Sequence, residues 1–187
     1  MDFVIRVDKE LDYLTACMRN ERWAQELLYK EYYPMMMPLC QRYATNKEDA
    51  LDILHEGFIK IFKHIKKYQM GTSLNAWIKR IMINTAIHYY RKSVRRRTED
   101  LDTAYSIRSN DPSAINFLAA EEIVDCLHKL SPSYRAIFNL YVMEGYSHKE
   151  IADQLSISES TSRSNLVKAR SKLRALLIAK SADYARG

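Results

Sequence analysis

Apolar residues recur at three- and four-residue spacing along most of the chain, and no strand-like alternation persists. That period predicts helices. From about residue 8 to 97 the pattern reads as a run of them. Asn46 opens one as an N-cap, with acidic residues in the first turn behind it. In KEDALDILHEGFIKIFKHI, Leu51, Leu54, Phe58, Ile61, Phe62 and Ile65 share one side of a helical wheel. Asp49, Asp52 and Glu56 lie opposite. In the helix before it, Pro34 and Pro38 flank Met35, Met36 and Met37 and predict a bend. Gly71-Thr72-Ser73 interrupts the pattern, and Ser73 can cap the next helix, LNAWIKRIMINTAIHYYRK.

Residues 98–116 differ in kind. They are polar, contain Asp111-Pro112, and set Glu99, Asp100, Asp102 and Asp111 against Arg108, so they read as a net-negative linker. Helices resume at about 117. Ser131-Pro132 places an N-cap before a proline at the first helical position. Ser147-His148-Lys149-Glu150 fits a capping box. A break at Ser156-Ile157-Ser158 precedes a basic helix running to about 179. The expected fold is all-α: two small helical domains, 1–97 and 117–187, joined by a flexible linker at 98–116.

Composition agrees. Gly and Pro number four each in 187 residues, and 47% apolar content with 28% charge suits a globular chain and argues against disorder. The net charge of +6 points to a polyanion only through where the cations cluster. Cys17, Cys40 and Cys126 form no C-x-x-C pair and read as reduced, buried thiols. The start, MDFVIRVDKELDYL, lacks the charged-then-apolar order of a signal peptide, and no apolar stretch reaches bilayer length, so the cytoplasm is the expected compartment.

The segment YSHKEIADQLSISESTSRSNLVKARSKLRALL carries the sharpest chemistry. A short helix, a three-residue turn and a second helix, with small Ala152 at the crossing, predict a helix-turn-helix. Ile151, Leu155, Ile157 and Leu166 supply the apolar contacts between its helices. Leu166, Ala169, Leu173, Leu176 and Leu177 form the apolar stripe of the second helix. Arg163, Ser164, Val167, Lys168, Ser171 and Arg174 lie off that stripe. From Arg163 to Ala182 there are six basic residues and no acidic one. Such a face can meet phosphates, and its N-terminal residues can meet base edges. A merely solvated amphipathic helix is the plainer alternative.

The N-terminal half offers two further surfaces. Arg91 to Arg97 holds five cations without an acid, downstream of Trp77, Lys79, Arg80, Asn84, His88, Tyr89 and Tyr90. Aromatics interleaved with cations and amides suit single-stranded DNA. Trp77 serves equally well as core. Asp49, Asp52 and Glu56 are either solubilising decoration or a docking face for a basic protein partner. The triple Met is adaptable core or a protein-binding surface. His55-Glu56 lacks the second His of a zinc motif, because position 59 is Ile, and nothing here would raise a carboxylate pKa. No metal, cofactor, small-molecule substrate or enzymatic chemistry is expected.

LYKEYYPMMMPLCQRYATNKEDALDILHEGFIKIFKHIKKY resembles the core-binding part of region two in the extracytoplasmic-function group of sigma-70 RNA polymerase sigma factors. LNAWIKRIMINTAIHYYRK resembles that group's promoter-melting and minus-ten helix, and the helix-turn-helix resembles its region four. The resemblance implies that Asp49, Asp52 and Glu56 dock on the clamp coiled coil of the polymerase β′ subunit, with a further contact to the β flap. It implies minus-ten recognition by Tyr68, Ser73, Trp77, Arg80, Asn84, His88, Arg91 and Lys92. Minus-thirty-five recognition falls to Ser160, Thr161, Arg163, Ser164, Val167 and Lys168. It also implies promoter DNA and an anti-sigma factor as partners, and a role in a stress or envelope response. Ser156 stands where many members have Gly, Ser162 where Val is commoner, and Asn165 where Arg is commoner, which bears on promoter choice. The rival reading is a dimeric helix-turn-helix regulator that acts without replacing sigma.

Overall fold

The computed structural model describes residues 13–99 and 118–184, with side chains for 13–95 and 123–180. After a helical stretch at 13–18 come α1 (Arg22–Tyr43), α2 (Lys47–His64), a 3-10 turn (Ile65–Lys67) and α3 (Leu74–Glu99). The C-terminal half holds α4 (Leu118–His128), α5 (Pro132–Phe138), a π-turn (Asn139–Met143), α6 (His148–Leu155) and α7 (Glu159–Tyr184). No strand occurs among the described residues. Most of the expected linker lies outside them, and Thr98 and Glu99 still belong to α3.

The expected caps are in place. The Asn46 side chain accepts from the Asp49 N–H at 2.8 Å, and Ser73 Oγ accepts from the Ala76 N–H at 3.2 Å. The expected bend is not marked by a break: α1 runs on through Pro34 and Pro38. Lys30, Pro34 and Pro38 all sit on the exposed side of α1, so water can bond the carbonyls the prolines leave without a partner.

Helices α1, α2 and α3 pack around Leu28, Met36, Cys40, Ile53, Leu54, Ile61, Ile78 and Met82, all at most 3% exposed. Met36 and Met37 are core, whereas Met35 is 48% exposed. Gly57 sets how closely α2 and α3 approach. A Cβ built there would lie 2.4 Å from the Met82 sulfur.

The C-terminal half has a small cluster of its own: Cys126, Leu127, Leu130, Ala169 and Leu173. Ala136, Ile137, Leu140, Ile151, Leu155 and Leu166 instead join the N-terminal core. The two helical units are in contact, a relation that helical periodicity carries no information about.

Candidate nucleic-acid and polymerase interfaces

The helix-turn-helix forms as its capping residues dictate. Glu150 Oε2 accepts from the Ser147 N–H at 2.8 Å, and Ser147 Oγ accepts from the Glu150 N–H at 3.2 Å. Bonds from the Ser147 hydroxyl and N–H hold the Glu150 carboxyl below its usual range. α6 ends at Ser156, which is left-handed at φ 55°, and the Ile157 N–H bonds back to the Ala152 carbonyl at 3.1 Å. Ser158 then caps α7, accepting from the Thr161 N–H at 3.1 Å. That serine was legible only as a break.

On α7, Leu166, Ala169 and Leu173 face inward, Leu176 is half-buried, and Leu177 is 41% exposed, so the apolar stripe ends before Leu177. Ser160, Arg163, Ser164, Val167 and Lys168 are exposed and Thr161 is half-buried. Val167 is 67% exposed, more than any aliphatic residue in a packing role would be. Arg163 pairs with Glu159 one turn back. Ser162, 0% exposed, lies 2.9 Å through its hydroxyl from His148 Nδ1. Its side chain therefore faces the first helix of the motif.

On α3, Trp77, Arg80, Asn84, His88, Arg91 and Lys92 fall within about 120° of one another around the axis. Arg80, Asn84, His88, Arg91 and Lys92 are exposed. Ser73 is exposed and accepts in the cap of α3 through its hydroxyl oxygen. Trp77 is half-buried against the core, with its ring 5.6 Å from that of Tyr68. Tyr68 is 7% exposed and its hydroxyl donates to the Thr72 carbonyl, so here it shapes the loop Tyr68 to Ser73 from beneath. The stripe offers cations, an amide and an imidazole above a partly covered indole, a surface able to neutralise phosphates and receive an unstacked base.

On α2, Asp52 and Glu56 are exposed and Asp49 is half-buried. Glu56 shares its charge with Lys60 at 2.7 Å. Ile59, 65% exposed and three residues beyond Glu56, continues the same stripe and was missed. Its only signal was an apolar residue at i+3 on an otherwise acidic line.

Sequence reasoning also missed the polar contacts between the halves. Glu144 meets Arg42 at 2.6 Å and Lys79 at 2.7 Å. The Asn139 amide donates to the Arg42 carbonyl at 2.7 Å, and His128 Nε2 lies 2.8 Å from the Gln41 carbonyl. Tyr90 bonds to Ser133 at 3.1 Å, and Arg91 reaches the Gln154 carbonyl at the end of α6.

Cys17, Cys40 and Cys126 are free and buried. Burial pushes the Cys17 thiol up to about 11 and that of Cys40 to about 12. Among the described residues no group of three or more His, Cys, Asp or Glu could hold a metal ion, and no helix is long and apolar enough to cross a membrane.

The family model for sigma-70 region 2 matches residues 28–96, and that for sigma-70 region 4 matches residues 120–173. The chain is 29% identical to the ECF RNA polymerase sigma factor SigE of Mycolicibacterium smegmatis over 84% of its own length and 63% of that protein's. It is 32% identical to the ECF RNA polymerase sigma factor EcfG of Rhodopseudomonas palustris, over 80% of this chain and 83% of that one. A co-crystal structure of the sigma factor RpoE with the anti-sigma factor NepR from Bartonella quintana is 19% identical, covering 80% of this chain and 96% of that chain at a TM-score of 0.48. With both sigma regions matched in order, the chain belongs to the extracytoplasmic-function group of sigma-70 RNA polymerase sigma factors.

Proposed function

We propose that the protein binds core RNA polymerase and directs it to promoters. The observation that carries this reading is the pairing, in one short chain, of a region-two helix with a cation-and-aromatic stripe and a region-four helix-turn-helix with an exposed basic face. In this reading Asp49, Asp52 and Glu56, extended by Ile59, dock on the β′ clamp coiled coil, and region four meets the β flap. Ser73, Trp77, Arg80, Asn84, His88, Arg91 and Lys92 hold the minus-ten strand, with Tyr68 supporting the loop. Ser160, Thr161, Arg163, Ser164, Val167 and Lys168 enter the groove at the minus-thirty-five element.

The division of the chain into a region-two unit, a linker and a region-four unit belongs to the same reading. Each unit alone presents a small DNA surface, so polymerase supplies specificity by fixing the spacing of the two. The protein performs no bond chemistry itself, acts in the cytoplasm, and is held in reserve by an anti-sigma factor until a stress or envelope signal releases it.

The test is run-off transcription with sigma-free core polymerase, with and without the protein, beside the triple variant Asp49→Ala, Asp52→Ala, Glu56→Ala. Specific transcripts that vanish with the triple variant, together with core binding, support the reading. Binding to one palindromic DNA site as a dimer, with no effect on core polymerase, would replace it with the regulator.

A further inference from the structure

Glu144 ends the π-turn between α5 and α6, and its side chain is 1% exposed. Both cations that hold it come from the other half of the chain. Arg42 Nη2 donates to Oε1 at 2.6 Å, and Lys79 Nζ lies 2.7 Å from Oε2 at an angle outside hydrogen-bond geometry. Around this carboxylate the last turn of α1 presents carbonyls that no helical N–H can reach. The C-terminal half supplies partners for two of them, Asn139 for Arg42 and His128 for Gln41. A third contact reverses the direction: Arg91 of α3 reaches the carbonyls of Asp153 and Gln154 at the C-terminus of α6, where a cation is favoured.

We propose that Glu144, with Asn139 and His128, latches the C-terminal half onto the N-terminal half in a closed state, and that this state competes with nucleic acid for the basic face of α3. Lys79 and Arg91 are the two α3 cations involved. A strand laid along Arg80, Asn84, His88 and Arg91 needs Arg91 for phosphate, and it passes beside Lys79. In the closed state Glu144 and the end of α6 already hold these groups. The Gln154 side also walls the shallow pocket lined by Asn84, His88 and Arg91.

The polar part of the joint works against its apolar part. Arg42 Nε and Asn139 Oδ1 are buried without a hydrogen-bond partner among the described residues. Such atoms weigh against the closed state, because water satisfies them on opening. Once opening begins, the Glu144 carboxylate regains water as well, whereas removing it alone from a closed interface strands two cations. A ligand that binds only the open form then shifts the balance by its full differential affinity.

The experiment uses the full chain with spin labels at Lys67→Cys and Lys172→Cys, both exposed, since the three native cysteines are buried. Double electron–electron resonance reads the distance between the halves. The expected result is a narrow distribution in the parent. In Glu144→Gln the open-to-closed ratio rises about tenfold or more. A single-stranded oligonucleotide drives the parent the same way and binds Glu144→Gln more tightly. If Glu144→Gln loses its helical circular dichroism, Lys79→Gln, at a half-exposed site, takes its place with the same expectation for the distances alone.

A broad distribution in the parent, or a narrow one that neither variant changes, overturns the latch. An oligonucleotide that binds without altering the distances overturns the competition. The competition rests on the proposed sigma function and the latch does not. Failure of run-off transcription with the distance shift intact therefore counts against the function alone.

Discussion

The two halves of the molecule solve the problem of burial differently. In the N-terminal half three long helices bury Leu28, Ile53, Leu54, Ile61, Ile78 and Met82 against one another. In the C-terminal half Cys126, Leu127, Leu130, Ala169 and Leu173 form a small cluster of their own, while Ile137, Leu140, Ile151 and Leu155 lean on the N-terminal core. A small unit with little apolar surface of its own gains stability by docking. The DNA-reading motif is thus the part whose packing depends most on its neighbour, and local stability should follow that difference.

Two truncations probe the comparison most strongly. Leu54→Ala, at a site 0% exposed, should cost about 2–5 kcal/mol and lower hydrogen-exchange protection in both halves, because α5 and α6 rest on the same cluster. Leu127→Ala removes the same atoms at an equally buried site. It should fall near the bottom of that range, with protection lost in α4 and α7 only. Equal and global losses from the two would show a single core, and the contrast would fail.

Ser147→Ala removes the side-chain half of the capping box, the hydroxyl that accepts from the Glu150 N–H, and leaves the Ser147 N–H bonded to Glu150. It should cost about 1 kcal/mol, read as a lower midpoint in urea with an unchanged slope. Ser156→Gly should do the reverse. The left-handed φ of 55° strains a serine and not a glycine, so stability should rise by up to about 1 kcal/mol.

The smallest effect is the pH dependence of the joint. Burial, outweighing the Gln41 carbonyl bond, holds the His128 pKa below its ordinary 6.5, and His148 is shifted the same way by burial and then Arg163. A histidine whose folded pKa is depressed stays neutral in the fold, so its contribution is complete above 6.5 and is lost as pH falls below it. Thermal midpoints should therefore decline on acidification from neutral pH, and His128→Gln should flatten part of that decline.

Much of the site could be read before any coordinates. The capping box at Ser147 and Glu150, the Ser131 cap and the turn at Ser156 are local, and each is decided by residues within five positions of one another. The faces of α7 and α2 followed from helical periodicity. That periodicity erred where an end of a stripe runs past its neighbour, at Leu177, and where an apolar residue continues an acidic line, at Ile59. Ser162 is a polar residue on a DNA-reading helix whose burial the local pattern does not show, because its partner, His148, lies on the preceding helix. Tyr68 sits in a loop, and only packing beneath Trp77 shows that its ring faces inward.

By itself, the sequence determined the all-helical character, the caps and breaks, the helix-turn-helix and the faces that carry charge, because these depend on interactions a few residues long. The tertiary structure alone decided that the two helical units share a core. It also set Glu144 against Arg42 and Lys79, pairs separated by scores of positions along the chain. Nothing in the local pattern around Glu144-Gly145 distinguishes a buried carboxylate from a solvated one. The difference lies in whether distant cations and orphan carbonyls converge there, and convergence is a property of packing.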